Sequence, residues 1–348
     1  MTTQIIEPYR HEIIGGKGSI YYRAHSYHTK VPPEGIVPMI EHYTRPDAVV
    51  LDPFCGSGMA GVACLMTGRN GVLSDLSPAA VHISTGHTAR PDPLCFAQAA
   101  RRLLDDLAML ESELYDTPCI SCAGEARTEY TVWSDTFTCP ACDRRVRFWD
   151  AARRPDGTLD KTLHCPACRA TFRKSDVKIG PATPVLVSVS CPACRTREQR
   201  PLTQAEATTA LHDHRADISD WYPTAPLETW REMWRGQHRD IGIITAADFF
   251  TGRNLRALGA AWRAANESSE PTAMRFAMTT IVNGASRRYQ WSPKRPTDVL
   301  SETLYIASLT YEFNSAKSLV SCASTPGPAS CSTTVTTQCG AALSGGGR

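Results

Sequence analysis

The sequence predicts an α/β fold that carries a cysteine-rich insertion. An apolar run of strand type, residues 49–51, ends in Asp52 and is followed by a tight turn containing Gly56 and Gly58. A helical run comes next, and a second apolar run then leads to Asp75. This order of strand, turn, helix and strand is the opening of a nucleotide-binding α/β unit. Further along the chain, four Cys-x-x-Cys pairs indicate a separate insertion.

The elements of the α/β unit follow from local signals. The helix predicted over residues 59–66 ends at Gly68, a residue suited to a helix C-terminus. The next helix has Ser77 as its N-cap and Pro78 at its first position. A long amphipathic helix is predicted over residues 94–115, because leucines and other apolar residues recur there at helical intervals opposite charged residues.

The elements beyond residue 116 are read from shorter patterns. Three strand-like runs lie between the cysteine pairs, at residues 128–136, 146–149 and 184–190. Residues 201–217 are polar and predicted to be helical. Two further helices are predicted over residues 253–265, with Thr251 as the cap, and over residues 274–281.

Composition limits the class of protein. Of the 348 residues, 42% are hydrophobic and 21% are charged, as in soluble globular proteins. The formal net charge is +2, so overall charge does not identify a partner. No apolar stretch approaches the length of a transmembrane helix, and the first ten residues lack the apolar core of a signal peptide. We therefore expect a cytoplasmic protein with no membrane partner.

The turn after the first strand is suited to a bound nucleotide. Gly56 and Gly58 carry no Cβ, so a ligand can approach the backbone closely. Asp75, after the second strand, can accept hydrogen bonds from a ribose. The same residues are compatible with a nicotinamide-binding turn or with a glycine turn that holds no ligand. A phosphate-binding loop is disfavoured, since no Gly-Lys-Ser/Thr follows.

A longer stretch carries a family resemblance. The run Asp-Pro-Phe-Cys-Gly-Ser-Gly at residues 52–58, followed by a helix and by Leu-Ser-Asp-Leu-Ser-Pro at residues 73–78, resembles the S-adenosylmethionine-binding motif of amino-group DNA methyltransferases. The resemblance implies that the cofactor is bound by Asp52, Pro53, Phe54, Gly56, Gly58 and Asp75. Asp75 would hold the ribose. The family commonly has Thr where this chain has Met59.

The segment before the first strand supplies a further candidate surface. In the resembled family this segment forms another wall of the cofactor site, which makes Thr29 and Lys30 candidates for cofactor contact. The alternative is a surface loop with hydrogen-bonded polar side chains.

The cysteines predict two metal sites. Of the fourteen cysteines, eight form four Cys-x-x-Cys pairs. In chain order these are the first pair Cys119/Cys122, the second pair Cys139/Cys142, the third pair Cys165/Cys168 and the fourth pair Cys191/Cys194. In a reducing compartment, thiolates at this spacing favour zinc over disulfides or redox chemistry. Four pairs make two zinc sites, and we predict sequential pairing, first with second and third with fourth.

The role of the insertion has two interpretations. Arginine clusters within it could touch DNA phosphates; they comprise Arg144, Arg145, Arg147, Arg153 and Arg154. The other interpretation is a structural insertion in which metal replaces a hydrophobic core too small to fold alone.

Two aromatic segments follow the insertion. The tryptophans and Tyr-Pro of residues 221–234 could stack on an extruded base, or they could pack a lid or a domain seam. A basic and aromatic loop over residues 287–295 could contact the DNA backbone, or it could be a solvated loop.

The whole succession has a closer likeness. A methyltransferase core interrupted by Cys-x-x-Cys ribbons, then Trp-Tyr-Pro-Thr, Phe-Phe-Thr-x-Arg-Asn-Leu and Leu-Tyr-Ile-x-Ser-Leu, resembles the zinc-ribbon-containing adenine-specific DNA methylases over roughly residues 20–314. It implies a Rossmann-like S-adenosylmethionine-dependent methyltransferase sheet with a zinc-ribbon insertion. The predicted domains are the first part of the core at 1–116, a double zinc ribbon at 117–200, a helical and aromatic continuation of the methyltransferase region at 201–314, and, from composition, a disordered low-complexity tail at 315–348.

One expected motif is not found. Amino-group methyltransferases hold the target base with an Asp/Asn/Ser-Pro-Pro-aromatic motif, whereas the Pro-Pro of this chain, at residues 32–33, is flanked by Val31 and Glu34. Catalytic residues are therefore not assigned. The abrupt change to Ser, Thr, Ala, Gly and Pro after Asn314 suggests the hypothesis that the family sequence was cut there by frameshift or truncation.

The sequence thus predicts a DNA methyltransferase of the adenine-N6 type that uses S-adenosylmethionine and two zinc ions. Its partners would be DNA and proteins of a restriction-modification or defence system. We expect the chain alone to bind cofactor and to methylate poorly or not at all. The alternatives are an RNA methyltransferase and a zinc-ribbon nucleic-acid-binding or scaffold module without catalysis.

Overall fold

The computed structural model describes residues 7–16, 18–154, 157–230, 234, 236–292 and 304–316. The chain is mixed α/β with several sheets. Its described residues separate into two compact units, the first formed by those within Met1–Leu104 and Ala264–Thr280, and the second by those within Asp105–Arg263 and Ile281–Ser318. Apart from Ser315 and Ala316, the predicted tail lies outside the described residues. The four predicted domain segments remain a prediction.

The first unit contains the predicted strand, turn, helix and strand. Its elements are α1 Ile20–Ala24, α2 Pro33–Tyr43, β1 Val49–Asp52, α3 Met59–Thr67, β2 Asn70–Leu73, α4 Pro78–Thr88 and the first part of α5 Pro93–Tyr115. Strands β1 and β2 pair in parallel, with Asp52 opposite Leu73. Their carboxyl ends therefore lie at the same edge of the sheet, where open α/β sheets bind ligands.

The second unit is built around an antiparallel sheet. Its elements are β3 Asp116–Pro118, β4 Glu125–Thr138, β5 Arg145–Arg147, α6 Phe148–Ala152, β6 Thr162–His164, β7 Thr171–Arg173, β8 Ile179–Cys191, β9 Thr196–Arg200, α7 Gln204–Leu211, α8 Gly236–Asp240, α9 Gly252–Glu267, α10 Pro271–Ala285 and β10 Leu309–Phe313. The end of α9 and most of α10 belong to the first unit. The strand order is β10-β4-β8-β9, with β3 and β5 paired to β4, while β6 and β7 form a separate hairpin.

The core of the first unit joins α1, α3, α4 and α10. Its buried members are Tyr21, Ala24, Met59, Val62, Ile83 and Phe276. Gly86 of α4 faces Phe276 so closely that a Cβ there would lie 2.1 Å from the ring. The outer face of the sheet is different, since Val49, Leu51 and Val72 are 50–68% exposed. Parallel sheets are normally covered on both faces, so this is an unpartnered apolar surface within the described residues.

The core of the second unit lies on one face of the large sheet. It contains Val132, Trp149, Val185, Trp291, Leu309 and Tyr311. The rings of Trp149 and Trp291 meet edge to face at 4.9 Å, a favourable arrangement for two aromatic side chains. Trp291 is therefore a core residue.

The predicted DNA-contact loop over residues 287–295 is corrected at Arg287, Tyr289 and Trp291. Trp291 is buried, and the ring of Tyr289 packs against Phe313 at 5.0 Å. Burial lowers the pKa of Arg287, whose guanidinium donates to the carbonyl oxygen of Asp248. These residues hold the loop against the sheet, so they are not available to a DNA backbone. Lys294 and Arg295 lie outside the described residues.

Other predicted elements are confirmed with altered bounds. Helix α5 and the cap at Ser77, whose hydroxyl accepts from the amide of Ala80, agree with the prediction. The predicted strand over 146–149 is wrong in its second half, because β5 ends at Arg147 and Phe148 begins α6. The predicted helix over 201–217 is shorter, ending at Leu211. Among the described residues, no helix is both long and apolar enough to cross a membrane.

Candidate functional site

The turn at residues 53–58 continues the pairing of the two parallel strands. The amide of Ser74 donates to the carbonyl oxygen of Asp52 at 3.0 Å, and the amide of Cys55 donates back to the carbonyl oxygen of Ser74 at 2.9 Å. The side chain of Asp52 accepts from the amide of Phe54 at 3.2 Å. The chain thus leaves β1 in a fixed direction before it enters α3.

Asp75 locks this turn from the second strand. One of its carboxylate oxygens accepts from the amide of Gly56 at 2.8 Å, and the other accepts from the amide of Ser77 at 2.9 Å. The amides of Ser77 and Gly56 lower the pKa of Asp75, so the group is ionised at neutral pH. A carboxylate has about four lone-pair positions, so Asp75 keeps capacity for further hydroxyl donors.

The two turn glycines are required by close neighbours. Both have positive φ, +50° at Gly56 and +78° at Gly58. A Cβ on Gly56 would lie 3.1 Å from the ring of Tyr27. A Cβ on Gly58 would lie 2.6 Å from the Cβ of Ser84 and 2.7 Å from its Cα. The turn is therefore pressed between Tyr27 and α4.

Replacing Gly58 by alanine is expected to destabilise the first unit by about 3 kcal/mol. The left-handed backbone costs roughly 1–2 kcal/mol for a residue with a Cβ, and forcing α4 away from the new methyl group adds roughly 1–3 kcal/mol. Hydrogen exchange of peptides within residues 49–88 measures the change in opening free energy.

Gly68, at the other end of α3, is the matched control. It also has positive φ, at +67°, but a Cβ there meets no heavy atom within 4 Å. Gly68→Ala should therefore cost only the roughly 1–2 kcal/mol of the left-handed backbone. Equal losses for the two variants would contradict the steric argument for Gly58.

Two further residues that support the turn were missed by sequence reasoning. Tyr27 covers Gly56, and the pKa of its hydroxyl is raised by burial and by nearby Asp75. His87 lies beneath the turn, where its Nδ1 donates to the carbonyl oxygen of Ser57 at 2.9 Å. Burial lowers the pKa of His87 to about 4, so the ring is neutral. Neither residue has a local sequence pattern, because both contacts depend on tertiary packing.

Thr29 and Lys30, the candidate cofactor contacts before the first strand, have different environments. Thr29 is exposed. The ammonium of Lys30 donates to the carbonyl oxygens of Tyr22 and His25 and lies 4.6 Å from the centre of the Tyr22 ring. Burial lowers its pKa to about 8. Lys30 is thus engaged with the end of α1, and its contact with a cofactor remains a prediction.

The surface around the turn combines acidic and apolar groups. Phe54 is 86% exposed and Pro53 is also exposed, whereas Cys55 and Ser57 are buried. Asp52 and Asp75 are partly exposed at the same sheet edge. An exposed aromatic ring beside two carboxylates can bind a ligand that has a flat ring, hydroxyl groups and a positive charge.

The eight paired cysteines form two clusters in the second unit. The outer cluster contains Cys119, Cys122, Cys191 and Cys194, and the inner cluster contains Cys139, Cys142, Cys165 and Cys168. Sulfur atoms of partner pairs are separated by 3.6 and 3.7 Å in the outer cluster and by 3.7 and 3.8 Å in the inner one. Disulfide sulfurs would be about 2.05 Å apart. Four sulfurs at about 2.3 Å from one tetrahedral zinc ion are about 3.8 Å apart, which fits both clusters.

The pairing is nested, so the predicted sequential pairing is wrong. The first pair joins the fourth, and the second joins the third. The reason is that residues 125–138 form one continuous strand, β4. At roughly 3.4 Å per residue, such a strand places the first and second pairs about 40 Å apart. Antiparallel β8 then returns the chain, bringing the fourth pair back to the first.

Each pair occupies the turn of a β-hairpin with the same backbone conformation. The residue after the second cysteine has positive φ in all four turns: Ala123, Asp143, Arg169 and Arg195. This left-handed residue lets both sulfurs of a pair point to one side, at a cost of roughly 1–2 kcal/mol. A repeated strain of this kind is consistent with four turns shaped to bind metal.

Backbone amides prepare the thiols for binding. The amides of Ser121 and Cys122 lower the pKa of Cys119 to about 6, and the amide of Cys168 lowers the pKa of Cys165 to about 6. Each cluster therefore has a thiolate at neutral pH, the form that binds metal. Apolar residues surround the inner cluster, including Phe137, Val146, Leu163 and Phe172.

Some of the arginines in the insertion make contacts within the protein. Arg147 pairs with Asp150 at 2.5 Å and Arg154 with Asp160 at 2.7 Å. The guanidinium of Arg153 lies over the ring of Trp149 at 4.6 Å. Arg144 and Arg145 are exposed, so they are the stronger candidates for phosphate contact.

Comparisons with known proteins find a family model that matches the part of the chain containing the turn. A family model described as DNA methylase matches residues 5–86, which supports a methyltransferase. A protein of Escherichia coli (strain K12) named "Putative methylase YubD" is 42% identical over 59 residues. That match covers 17% of this chain and 24% of the relative. No solved structure matches the chain.

Proposed function

We propose that the chain is an S-adenosylmethionine-dependent methyltransferase that acts on an amino group of a DNA base, the N6 of adenine. The observation that carries the proposal is the turn locked by Asp75, which lies within the residues matched by the DNA methylase family. Both carboxylates and both turn glycines fall in that segment. An adenine amino group is the finer part of the proposal, and it rests on the sequence resemblance.

The cofactor would supply an activated methyl group on its sulfonium. Asp75 would accept hydrogen bonds from the ribose hydroxyls with the lone pairs that Gly56 and Ser77 leave unused. Asp52 would face the cationic amino-acid end, and the exposed ring of Phe54 would cover an apolar part of the cofactor. Tyr27 and His87 would keep the turn in shape. The chain's own residues thus act by binding and positioning.

The cysteine clusters would hold two zinc ions with a structural role. Four thiolates fill a tetrahedral shell, which leaves no position for a substrate. The outer ion would join the β3–β4 and β8–β9 hairpins, and the inner ion would join the β4–β5 and β6–β7 hairpins. Arg144 and Arg145, in the hairpin of the second pair, would then be placed to contact DNA phosphates.

The cellular setting follows from the same chemistry. Paired thiolates for zinc are typical of a reducing compartment, so we place the protein in the cytoplasm. Proteins of a restriction-modification or defence system are the proposed partners. Since the sequence contains no Asp/Asn-Pro-Pro-aromatic motif, we expect cofactor binding by the isolated chain to exceed its turnover on DNA.

Asp75→Asn is expected to weaken binding of S-adenosylhomocysteine by about 10- to 100-fold. An amide removes the charge and one acceptor, and a hydrogen bond to a charged group is worth roughly 1.5–3 kcal/mol. Isothermal calorimetry on zinc-replete protein measures the dissociation constant. Glu41→Gln, an exposed residue of α2, removes the same charge away from the turn and should bind like the parent. Absence of heat with the parent chain would refute the cofactor assignment.

A further inference from the structure

A short turn after α7 brings together three side chains that none of the proposed sites uses. It spans residues 212–217, with the sequence His-Asp-His-Arg-Ala-Asp, and is called the histidine turn below. His212, His214 and Asp217 each offer one ligand atom, and these atoms lie within 4.8 Å of one another. Two imidazoles and a carboxylate are a common ligand set for divalent transition metals.

The distances between the ligand atoms lie on either side of the spacing expected around a bound ion. Nε2 of His212 lies 3.0 Å from a carboxylate oxygen of Asp217, and Nδ1 of His214 lies 4.0 Å from the same oxygen. The two imidazole rings stand edge to face at 4.7 Å. Ligand atoms around a tetrahedral ion with bonds of about 2.0–2.1 Å are about 3.4 Å apart, so small side-chain movements would close the shell.

His214 provides a second, independent observation. Its side chain is only 6% exposed, and its Nδ1 is buried without a hydrogen-bond partner among the described residues. Its Nε2 donates to the carbonyl oxygen of Thr209 at 2.9 Å, which fixes the tautomer with a lone pair on Nδ1. Metal-bound histidines usually show this arrangement, with the second ring nitrogen donating to a carbonyl or carboxylate.

The backbone of the histidine turn is held in place by its surroundings. The amide of Asp217 donates to the carbonyl oxygen of His214 at 3.3 Å, which sets the two ligands three residues apart in one turn. Arg215 points away and pairs with Asp248 at 2.7 Å. Gly252, at the start of α9, packs so closely that a Cβ there would lie 3.1 Å from the Cβ of His214. The ligands are thus positioned before any metal binds.

We propose that His212, His214 and Asp217 form a third metal site, for a divalent transition ion such as zinc. His214 supplies the buried, pre-oriented ligand, while exposed His212 and Asp217 complete the site from the solvent side. Three protein ligands leave at least one coordination position open to water or to a substrate oxygen. The site therefore differs in kind from the four-thiolate clusters. It does not rest on the proposed methyltransferase function.

The test uses the full chain with its cysteine clusters already filled with zinc and excess metal removed. Zinc is then titrated by isothermal calorimetry, and we expect one further ion to bind per chain. His212→Ala and Asp217→Asn should each weaken this binding by at least about tenfold. Asp213→Asn, in the same turn and with the same loss of charge, should leave it unchanged. His212 and Asp217 are exposed, so their replacement does not disturb a core.

Cobalt supplies a readout that separates the ligand types. Cobalt added to the zinc-filled protein should give weak visible bands without the intense near-ultraviolet band of cobalt–thiolate bonds, and Asp217→Asn should remove the visible bands. No further ion in the parent, or equal binding by the parent and both ligand variants, would overturn the proposal. In that case the groups form only a His212–Asp217 hydrogen bond.

Discussion

A chain in which the second cysteine pair is replaced by serine is expected to retain one zinc ion of two. Replacing the third pair as well should remove no further ion, because the second and third pairs share the inner cluster. Replacing the first pair together with the second should remove both ions. Sequential pairing predicts the reverse, since the first and second pairs would then share a site. Metal analysis after dialysis gives the zinc content per chain.

Loss of the inner ion should also be the largest single effect on stability. Structural zinc binding in small domains is worth roughly 10–16 kcal/mol in apparent free energy. The strands beside the inner cluster are short, with three residues each in β5, β6 and β7. Such strands do not form stable hairpins without support. We therefore expect peptides covering residues 139–173 to lose hydrogen-exchange protection when the second pair is replaced.

The zinc counts for the cysteine clusters must exclude any ion bound at the histidine turn. All zinc counts are made on the His212→Ala background, so that a weaker third ion does not enter the total. The matched control is Cys95→Ser, an exposed cysteine outside both clusters, which should keep two ions. A chain that keeps one ion after loss of the first and second pairs would restore the sequential arrangement.

Local sequence signals predict the candidate cofactor turn. They do not predict the tertiary contacts that hold the turn in its conformation. The spacing from Asp52 to Asp75 placed both carboxylates at the ends of parallel strands, because a strand, turn, helix and strand in sequence have few alternatives. The same pattern could not show that Asp75 binds the amide of Gly56. Tyr27 and His87 contact the turn from outside it. Such tertiary contacts produce no periodic pattern in the sequence.

The predicted sequential pairing of the cysteines is wrong for a related reason. The Cys-x-x-Cys spacing predicts each turn, because the two cysteines of a pair lie close together in the chain. The partner of each turn depends on strand length and sheet order. The run at residues 128–136 predicts a strand, but it does not show that the strand extends over the full length of β4. In the same way, His-x-His-x-x-Asp in the histidine turn is a short-range signal that could have been found, because its ligands lie within six residues.

Glu312→Gln is expected to lower the free energy of unfolding of the second unit by about 3–5 kcal/mol. Glu312 and Arg253 are 2% and 4% exposed and form a two-point ion pair, with nitrogen–oxygen distances of 2.6 and 3.0 Å. The carboxylate also accepts from the indole of Trp133 at 2.7 Å and the hydroxyl of Thr251 at 2.5 Å. Replacing it with a neutral amide leaves a buried guanidinium without its counter-charge, which is the costly case for buried pairs.

The measurement can be confined to the relevant unit. All seven tryptophans lie in the second unit, so urea unfolding followed by tryptophan fluorescence reports on that unit. The exposed pair of Arg256 and Glu113, also joined at 2.7 Å, is the matched control. Glu113→Gln should change stability by less than about 1 kcal/mol, because solvent screens a pair with one partner mostly exposed.

A double replacement separates the cost of an unpaired buried charge from the stabilisation that the Arg253–Glu312 ion pair provides. In Arg253→Met with Glu312→Leu, neither charge remains, so the penalty of an isolated buried charge disappears. We expect this chain to recover part of the stability lost by Glu312→Gln, as hydrophobic replacements of buried ion pairs often do. Recovery should be incomplete, since Trp133, Thr251 and Thr131 lose their buried hydrogen-bond partners. A double variant less stable than Glu312→Gln would mean that these hydrogen bonds, rather than the unpaired charge, dominate the energetics of the site.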